Sequence, residues 1–190
     1  MKIKFTLLAL CLSSCTTSRP HVDIMAGTRC FDNNTEWEQT NVQAAIGAQV
    51  NFANKNGIGP EVGFILSDDV SNDDTYVNRS VSYTKSQVDE LYLGLRKNWM
   101  LNENWQFFVG GGAAATALST KANLTYADAR SDSSTIYSPY AQTGINYLVE
   151  NGMSVGFMYR RTFWGKDEDI FINEPPSQSN VFLFMLGYSF

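Results

Sequence analysis

From residue 181 onward the chain alternates without a break. Phe182, Phe184, Leu186, Tyr188 and Phe190 fall on one parity, and Val181, Leu183, Met185, Gly187 and Ser189 on the other. Successive side chains of a β-strand point to opposite faces, so period-two patterning of this kind predicts a strand. A strict row of large apolar residues ending on Phe is the pattern of a membrane-embedded strand whose outer face meets lipid. It constrains the rest of the chain, because a strand can cross a bilayer only as part of a closed barrel.

The totals agree with that constraint. At 190 residues the chain is long enough for one domain. Mean hydropathy is −0.21, and after the first 14 residues no apolar run approaches the ~20 residues that a spanning helix needs. A barrel strand needs only ~9–11 residues with alternate faces apolar. The N-terminus is set apart as a targeting segment. Lys2 and Lys4 form a charged start, and Phe5 to Leu12 a short apolar stretch. Leu12-Ser13-Ser14-Cys15 then resembles a bacterial lipobox, which implies a signal peptide over 1–14, lipidation at Cys15 and a tether over 15–20. The alternative is an ordinary secretory signal cut near Ser14 or Ser18. Loss of Lys2 and Lys4 takes the net charge from −5 to −7. That acidity argues against nucleic acid as a partner, because phosphate binding needs clustered Lys and Arg. With Cys15 lipidated, Cys30 stands alone, and the absence of a CxxC pair or a Cys/His cluster speaks against a zinc site.

Eight strands are predicted, at 21–32, 39–54, 57–69, 79–99, 103–119, 134–149, 152–165 and 179–190. The second is the clearest. Val42, Ala44, Ile46, Ala48, Val50 and Phe52 share one face, and Asn41, Gln43, Ala45, Gly47, Gln49 and Asn51 the other. In a soluble sheet the apolar face turns inward; in a transmembrane barrel it turns out to lipid and the small polar set lines the interior. Loop lengths alternate too. Asn54–Gly57, Met100–Glu103 and Glu150–Gly152 are tight turns, whereas 33–38, 70–79, 120–133 and 166–178 are longer and polar. Short periplasmic turns and long extracellular loops have this rhythm, and an even strand number leaves both termini periplasmic. The run Phe108–Ala115, with three glycines, lacks the GK[ST] and following helix of a phosphate loop. It reads as a strand of small residues that lets side chains from neighbouring strands cross the axis.

From Trp105 through "SPYAQTGINYLVENGMSVGFMYRRTFW" to Trp164, the chain resembles the eight-stranded outer-membrane β-barrel superfamily of OmpA, OmpX and surface-antigen types. The resemblance spans about 21–190 and implies an all-β, eight-stranded antiparallel up-and-down transmembrane β-barrel in the bacterial outer membrane. The ending Tyr188-Ser189-Phe190 is similar to the signal such barrels present to the barrel-assembly machinery. The lipobox is a departure from most small barrels of this kind.

Parity assigns the lumen. Arg29, Glu61, Glu90, Tyr92, Arg96, Gln106, Gln142, Asn146, Ser154 and Arg160 are expected inside. A barrel of eight strands is just wide enough for its side chains to fill, so these groups predict a charge network that plugs the lumen. Glu90 and Arg96 are six residues apart on one strand, or ~20 Å, and must find partners elsewhere. The alternative is a gated, porin-like channel. Lys97 and Arg161 fall on the lipid face near strand ends, where long side chains snorkel to the interface. Trp99 and Trp105 on one side, and Tyr83 and Phe163 on the other, suggest two aromatic girdles.

No cofactor is expected. Lipid A-modifying and protease barrels resemble one another in using a rim His with a partner, and this chain has one His, His21. It is expected in the periplasmic linker with no Ser within reach, so the expectation is a non-enzymatic protein. The acidic loops, among them Asp73, Asp74, Asp167, Glu168 and Asp169, lack the ordered DxDxDG spacing of a calcium loop. Arg79, Lys121, Arg130, Arg161 and Lys166 are placed to meet lipopolysaccharide phosphates. The resulting expectation is an envelope-structural or surface-interaction (adhesion) role through the long loops, above all 166–178, against an extracellular ligand. A soluble lipocalin-type barrel is the rival fold.

Overall fold

The computed structural model describes residues 20–31, 42–54, 56–69, 75–77, 80–124, 127–164 and 178–190. Nine strands follow in chain order: β1 (His21–Phe31), β2 (Val42–Asn51), β3 (Ile58–Asp69), β4 (Thr75–Val77), β5 (Ser80–Met100), β6 (Trp105–Leu124), β7 (Ala127–Leu148), β8 (Met153–Phe163) and β9 (Gln178–Ser189). Every pair is antiparallel. β1 is flanked by β2 and β9, and β3 pairs with β5, which closes the ring. Eight long strands therefore form an up-and-down barrel, and the short β4 hangs on β5 outside it. Closure leaves no sheet edge within the wall, which is what lets a β-structure sit in hydrocarbon.

Parity decides which face is which. In β9, Val181, Leu183 and Met185 are at most 2% exposed, while Phe182 and Phe184 are 52% and 39% exposed. Along β2, Val42 and Ile46 face out and Gln43, Ala45, Gln49 and Asn51 face in. The outward set continues around the wall with Ile24, Phe64, Leu91, Leu93, Leu95 and Phe157, all exposed. Large apolar groups outside and carboxylates, amides and guanidiniums inside invert the arrangement of a soluble sandwich, and they form the apolar band of a membrane barrel. A soluble lipocalin-type barrel would bury that apolar set.

Local chemistry shapes the tight turns. Asn151 and Gly152 both have positive φ, 76° and 82°, the geometry for which Asn-Gly is the favoured hairpin pair. In the β2–β3 turn, Asn54 Oδ1 accepts from the N–H groups of Asn56 and Ile58 at 2.9 and 3.1 Å, and Gly57 takes φ 74°. Between β5 and β6, Asn102 Oδ1 accepts from the N–H groups of Asn104 and Trp105 at 2.9 and 2.8 Å. Aromatic residues collect at this end. Trp99 stacks on Phe107, Trp105 meets Tyr147 edge-on, and Tyr188 meets Phe190. Lys97 sits there as well, its ammonium donating to the Asn56 carbonyl and lying 5.7 Å from the Trp99 ring.

The opposite end corrects two expected loops. Residues 120–124 and 127–133 are strand, not loop: the β6–β7 ladder runs from Trp105↔Tyr147 to Leu124↔Ala127 with one irregularity between Ala122 and Leu124. Within 70–79, Thr75–Val77 is a strand paired to Ser80–Ser82. Apolar alternation signals a strand only where one face is apolar. Beyond the apolar band no face carries a row of large apolar residues, yet the backbone ladder continues. Cys15, Arg79, Lys166 and residues 166–177 of the expected loop 166–178 lie outside the described residues, as do the side chains of Tyr83, Lys121 and Arg130, and Gln178 begins β9.

Candidate functional site: the lumen network

The lumen is filled by one connected polar system. Arg29, Glu61, Glu90, Arg96 and Arg160, assigned inside by parity, are each at most 1% exposed, as is Asp23. Among the described lumen residues, three guanidiniums thus face three carboxylates. Glu90, on β5, receives Arg29 Nη2 from β1 at 3.2 Å and Arg160 Nη2 from β8 at 2.5 Å. Thr162 Oγ1 adds a donor to the same carboxylate at 3.4 Å. Arg96 instead reaches Asp23 at 3.6 Å and donates through Nε to Asn98 at 2.8 Å. With its amide turned to accept, Asn146 takes a further bond from Arg96 Nη2 at 3.1 Å. Glu90 and Arg96 therefore find separate partners.

Neutral side chains tie the ion pairs together. Glu61 accepts from the Tyr140 hydroxyl at 2.8 Å and from Gln142 Nε2 at 2.9 Å. Gln142 Oε1 in turn accepts from Arg160 Nη1 at 3.0 Å. The Arg160 guanidinium lies between two rings, 3.8 Å from the Tyr92 centroid and 3.6 Å from that of Tyr140. Arg96 lies 3.5 Å over Phe108. Tyr92 donates to Gln49 Oε1 at 2.8 Å, and Gln49 Nε2 donates to Asp23 Oδ2 at 2.9 Å. Planar guanidiniums suit this setting because they stack on aromatic faces while keeping their edge donors for carboxylates. The small residues of β6 make the room: a Cβ on Gly110 would stand 2.8 Å from Glu61 Oε1.

The two ends of the lumen differ. At the end away from the tight turns, Val88, Leu118, Ile136 and Trp164 form an apolar layer, with Phe31 packed on it and its ring centroid 5.7 Å from that of Trp164. Toward the tight turns the lumen is polar, with Asn98 donating to Asn51 at 3.3 Å and Gln106 and Ser154 on the same face. His21, expected in a linker without Ser in reach, is instead the first residue of β1. Its Nδ1 is 2.7 Å from Ser189 Oγ, and its Nε2 is 2.9 Å from Asp23 Oδ1 and 3.3 Å from Ser154 Oγ. This joins β1 to β9 and β8 across the seam of the barrel.

Parity, applied to β1, would have found His21 and Asp23, since both share it with Arg29. Parity also puts Gln49 with Gln43 and Asn51, and Tyr140 with Gln142, on the lumen face; it does not show the stagger that sets them beside Asp23 and Glu61. Tyr188 and Phe190 stand together at the tight-turn end, 5.0 Å between ring centroids.

The fold is that of the eight-stranded outer-membrane β-barrels. No protein-family model matches the chain, and no curated protein matches its sequence. Solved structures do match. A major outer membrane protein from Thermus thermophilus is similar with a TM-score of 0.66 at 12% identity, covering 92% of this chain and 100% of that one. Ail, the attachment invasion locus protein of Yersinia pestis, is similar with a TM-score of 0.63 at 11% identity over 91% of this chain and 99% of that one. Neisserial surface protein A follows at 0.55 and 10%, over 90% and 96%.

Proposed function

We propose that this chain is a non-enzymatic outer-membrane barrel with an envelope-structural or surface-interaction role, carried by its long-loop end. One observation carries the reading. β5, β6 and β7 have 21, 20 and 22 residues, against 10 to 12 for β1, β2, β3, β8 and β9. A strand of 21 residues is ~70 Å long, and the apolar band of such a barrel is only ~25 Å tall. β8 pairs with β7 only over Tyr140–Leu148, so Ala127–Pro139 extends past that partner. Its outer part, Ala127–Asp132, pairs with Thr120–Leu124 of β6, and with the first residues of β5 and β4 these form a sheet that projects beyond the wall.

A projecting polar sheet on a filled barrel suits contact with an extracellular ligand. Ail, a barrel of similar fold, has been captured with the heparin analogue sucrose octasulfate, in a structure with a TM-score of 0.52 at 11% identity. That supports the class of role without defining the ligand. The same reading places the tight turns and both termini in the periplasm, Cys15 as a lipidated first residue, Tyr188 and Phe190 as the contact with the assembly machinery, and the wall against membrane lipid and lipopolysaccharide. Mass spectrometry of the mature N-terminus tests the anchor: a diacyl- or triacyl-cysteine is expected, and an unmodified residue elsewhere contradicts it.

The His21 cluster has the hydrogen-bond order of a Ser–His–Asp relay, with Ser189 and Asp23 on opposite ring nitrogens. A serine nucleophile needs N–H donors aimed at the developing oxyanion. Beside Ser189 the N–H of Phe190 already donates to the Pro20 carbonyl at 3.2 Å, and residues 187–189 are in the β1 ladder. The cluster is therefore assigned to holding the seam. A fluorophosphonate probe should leave Ser189 and Ser154 unlabelled; labelling would reverse that assignment. For the role itself, cells displaying the barrel should bind host surfaces or glycans, and a form with β5–β7 shortened to a tight turn should lose binding while staying folded. Unchanged binding after the shortening would remove the projecting sheet as the working part.

A further inference from the structure

The outward face of the barrel is not uniform. On β5 it carries Leu91, Leu93 and Leu95, each more than half exposed, and on β8 it carries the exposed Phe157 and Phe163. Between these two ridges, β6 and β7 present only small side chains, with Gly111 beside Ala141 and Ala113 beside Pro139 in the register. Leu95 and Leu93 flank that floor on one side, and Arg161 stands beside Ala141 on the other. A Cβ added to Gly111 would meet only the Tyr140 carbonyl oxygen, at 3.1 Å. The outer surface here is a shallow apolar groove, three strand spacings or ~14 Å from ridge to ridge.

Polar groups gather at one end of the groove. Arg161 faces outward eight positions beyond Met153 on β8, ~26 Å along the strand. At a tilt of ~40° that is ~20 Å of height, near the limit of an apolar band ~25 Å tall. Asn180 of β9 is the register partner of Arg161, and its Oδ1 accepts from the Tyr159 hydroxyl at 2.7 Å. Asp89 crowns the opposite ridge and Asp68 lies beyond it on β3, which confines an anion to the β8 side.

On the reading of this wall as the one in contact with membrane lipid, we propose that the groove binds a phosphorylated lipid. Its acyl chains lie over Gly111, Ala113, Pro139 and Ala141, and its phosphate accepts from Arg161. Such a ligand joins an apolar body to an anionic end, and the groove offers a complement to both within one strand of each other. A guanidinium on a lipid-facing row is costly in hydrocarbon and is stabilised by reaching an anion at the interface. Arginine meets phosphate through parallel N–H donors. A second copy of the chain packed here about a two-fold axis would instead bring two Arg161 side chains into one apolar interface.

Native mass spectrometry of the folded chain in neutral detergent tests the site, with bisphosphorylated lipid A and its dephosphorylated form as probes. The phosphorylated form should be retained more strongly, by roughly tenfold, and Arg161→Gln should remove that advantage. Ala113→Leu fills the floor with a lipid-facing apolar side chain. It should keep heat-modifiable migration and weaken retention of both forms. Lys97→Gln, at the tight-turn end, should leave retention unchanged, and inorganic phosphate should not displace the lipid. Equal retention of the two forms, unchanged retention in either Arg161→Gln or Ala113→Leu, displacement by phosphate alone, or a dimer in place of bound lipid would each overturn the proposal. Contact of the wall with lipid is read separately, from nitroxide accessibility at Phe184, and stands if the lipid site alone fails.

Discussion

At the level of single residues, the buried charges form a connected set in which each has a named counterpart. Breaking such a pair leaves an uncompensated charge in a low-dielectric interior, at a cost of about 3–5 kcal/mol. Glu90→Gln is therefore expected to be the most damaging single change, because it strands both Arg29 and Arg160. Its effect should appear as a lowered unfolding midpoint and weakened retention of the compact form on unheated gels. Asp23→Asn should cost less, since Asn98 and Asn146 remain to bind Arg96. A larger loss for Asp23→Asn than for Glu90→Gln would contradict this distribution of charge. Parity made the arginines and Glu61 and Glu90 legible in the sequence, because a charged residue inside a barrel strand stands out on the face opposite a run of Leu and Phe. It did not make their pairing legible. That Arg29 meets Glu90 rather than Asp23 follows from inter-strand stagger, which period-two patterning does not encode.

At the level of elements, turns and strand ends divide sharply in how much local sequence determines. Asn151 adopts φ 76°, a region where a β-branched side chain is strained by about 1–2 kcal/mol. Asn151→Val should lower the unfolding midpoint accordingly, whereas Asn151→Gly should leave it nearly unchanged. The strands were legible wherever one face is lipid-facing: 21–32, 57–69 and 179–190 were expected, and β1, β3 and β9 fall within a residue of them. The outer ends of β6 and β7 were not, because the sequences TKANL and ADARSDS set only alanines and one leucine opposite their polar residues, with no row of large apolar side chains. There the strands persist through backbone pairing begun inside the barrel and carried outward. Replacing the part of the β5–β7 sheet beyond Gln87, Ser119 and Ser133 with tight turns should therefore preserve heat-modifiable migration, since every described pairing of β5 with β3 and of β7 with β8 is retained.

At the level of the whole molecule, the wall and the lumen answer to different solvents. Outward Leu, Phe and Ile require hydrocarbon, and ion pairs and stacked rings occupy the lumen. Planar-bilayer recording should show no steady conductance. A stable open channel would favour a gated pore over a surface-interaction barrel, and its loss or enlargement in Arg96→Ala would place the gate in the network. The central claim is that the alternation of β9 divides lipid from lumen. Nitroxide labels placed singly at Phe182, Phe184, Leu186 and Tyr188 in bilayer-reconstituted protein test it most directly. Oxygen accessibility should be high and contact with a water-soluble nickel reagent low at Phe182, Phe184 and Leu186, shifting toward the aqueous reagent at Tyr188. Dominant accessibility to the aqueous reagent at Phe184, or burial from both reagents, would contradict a lipid-facing wall.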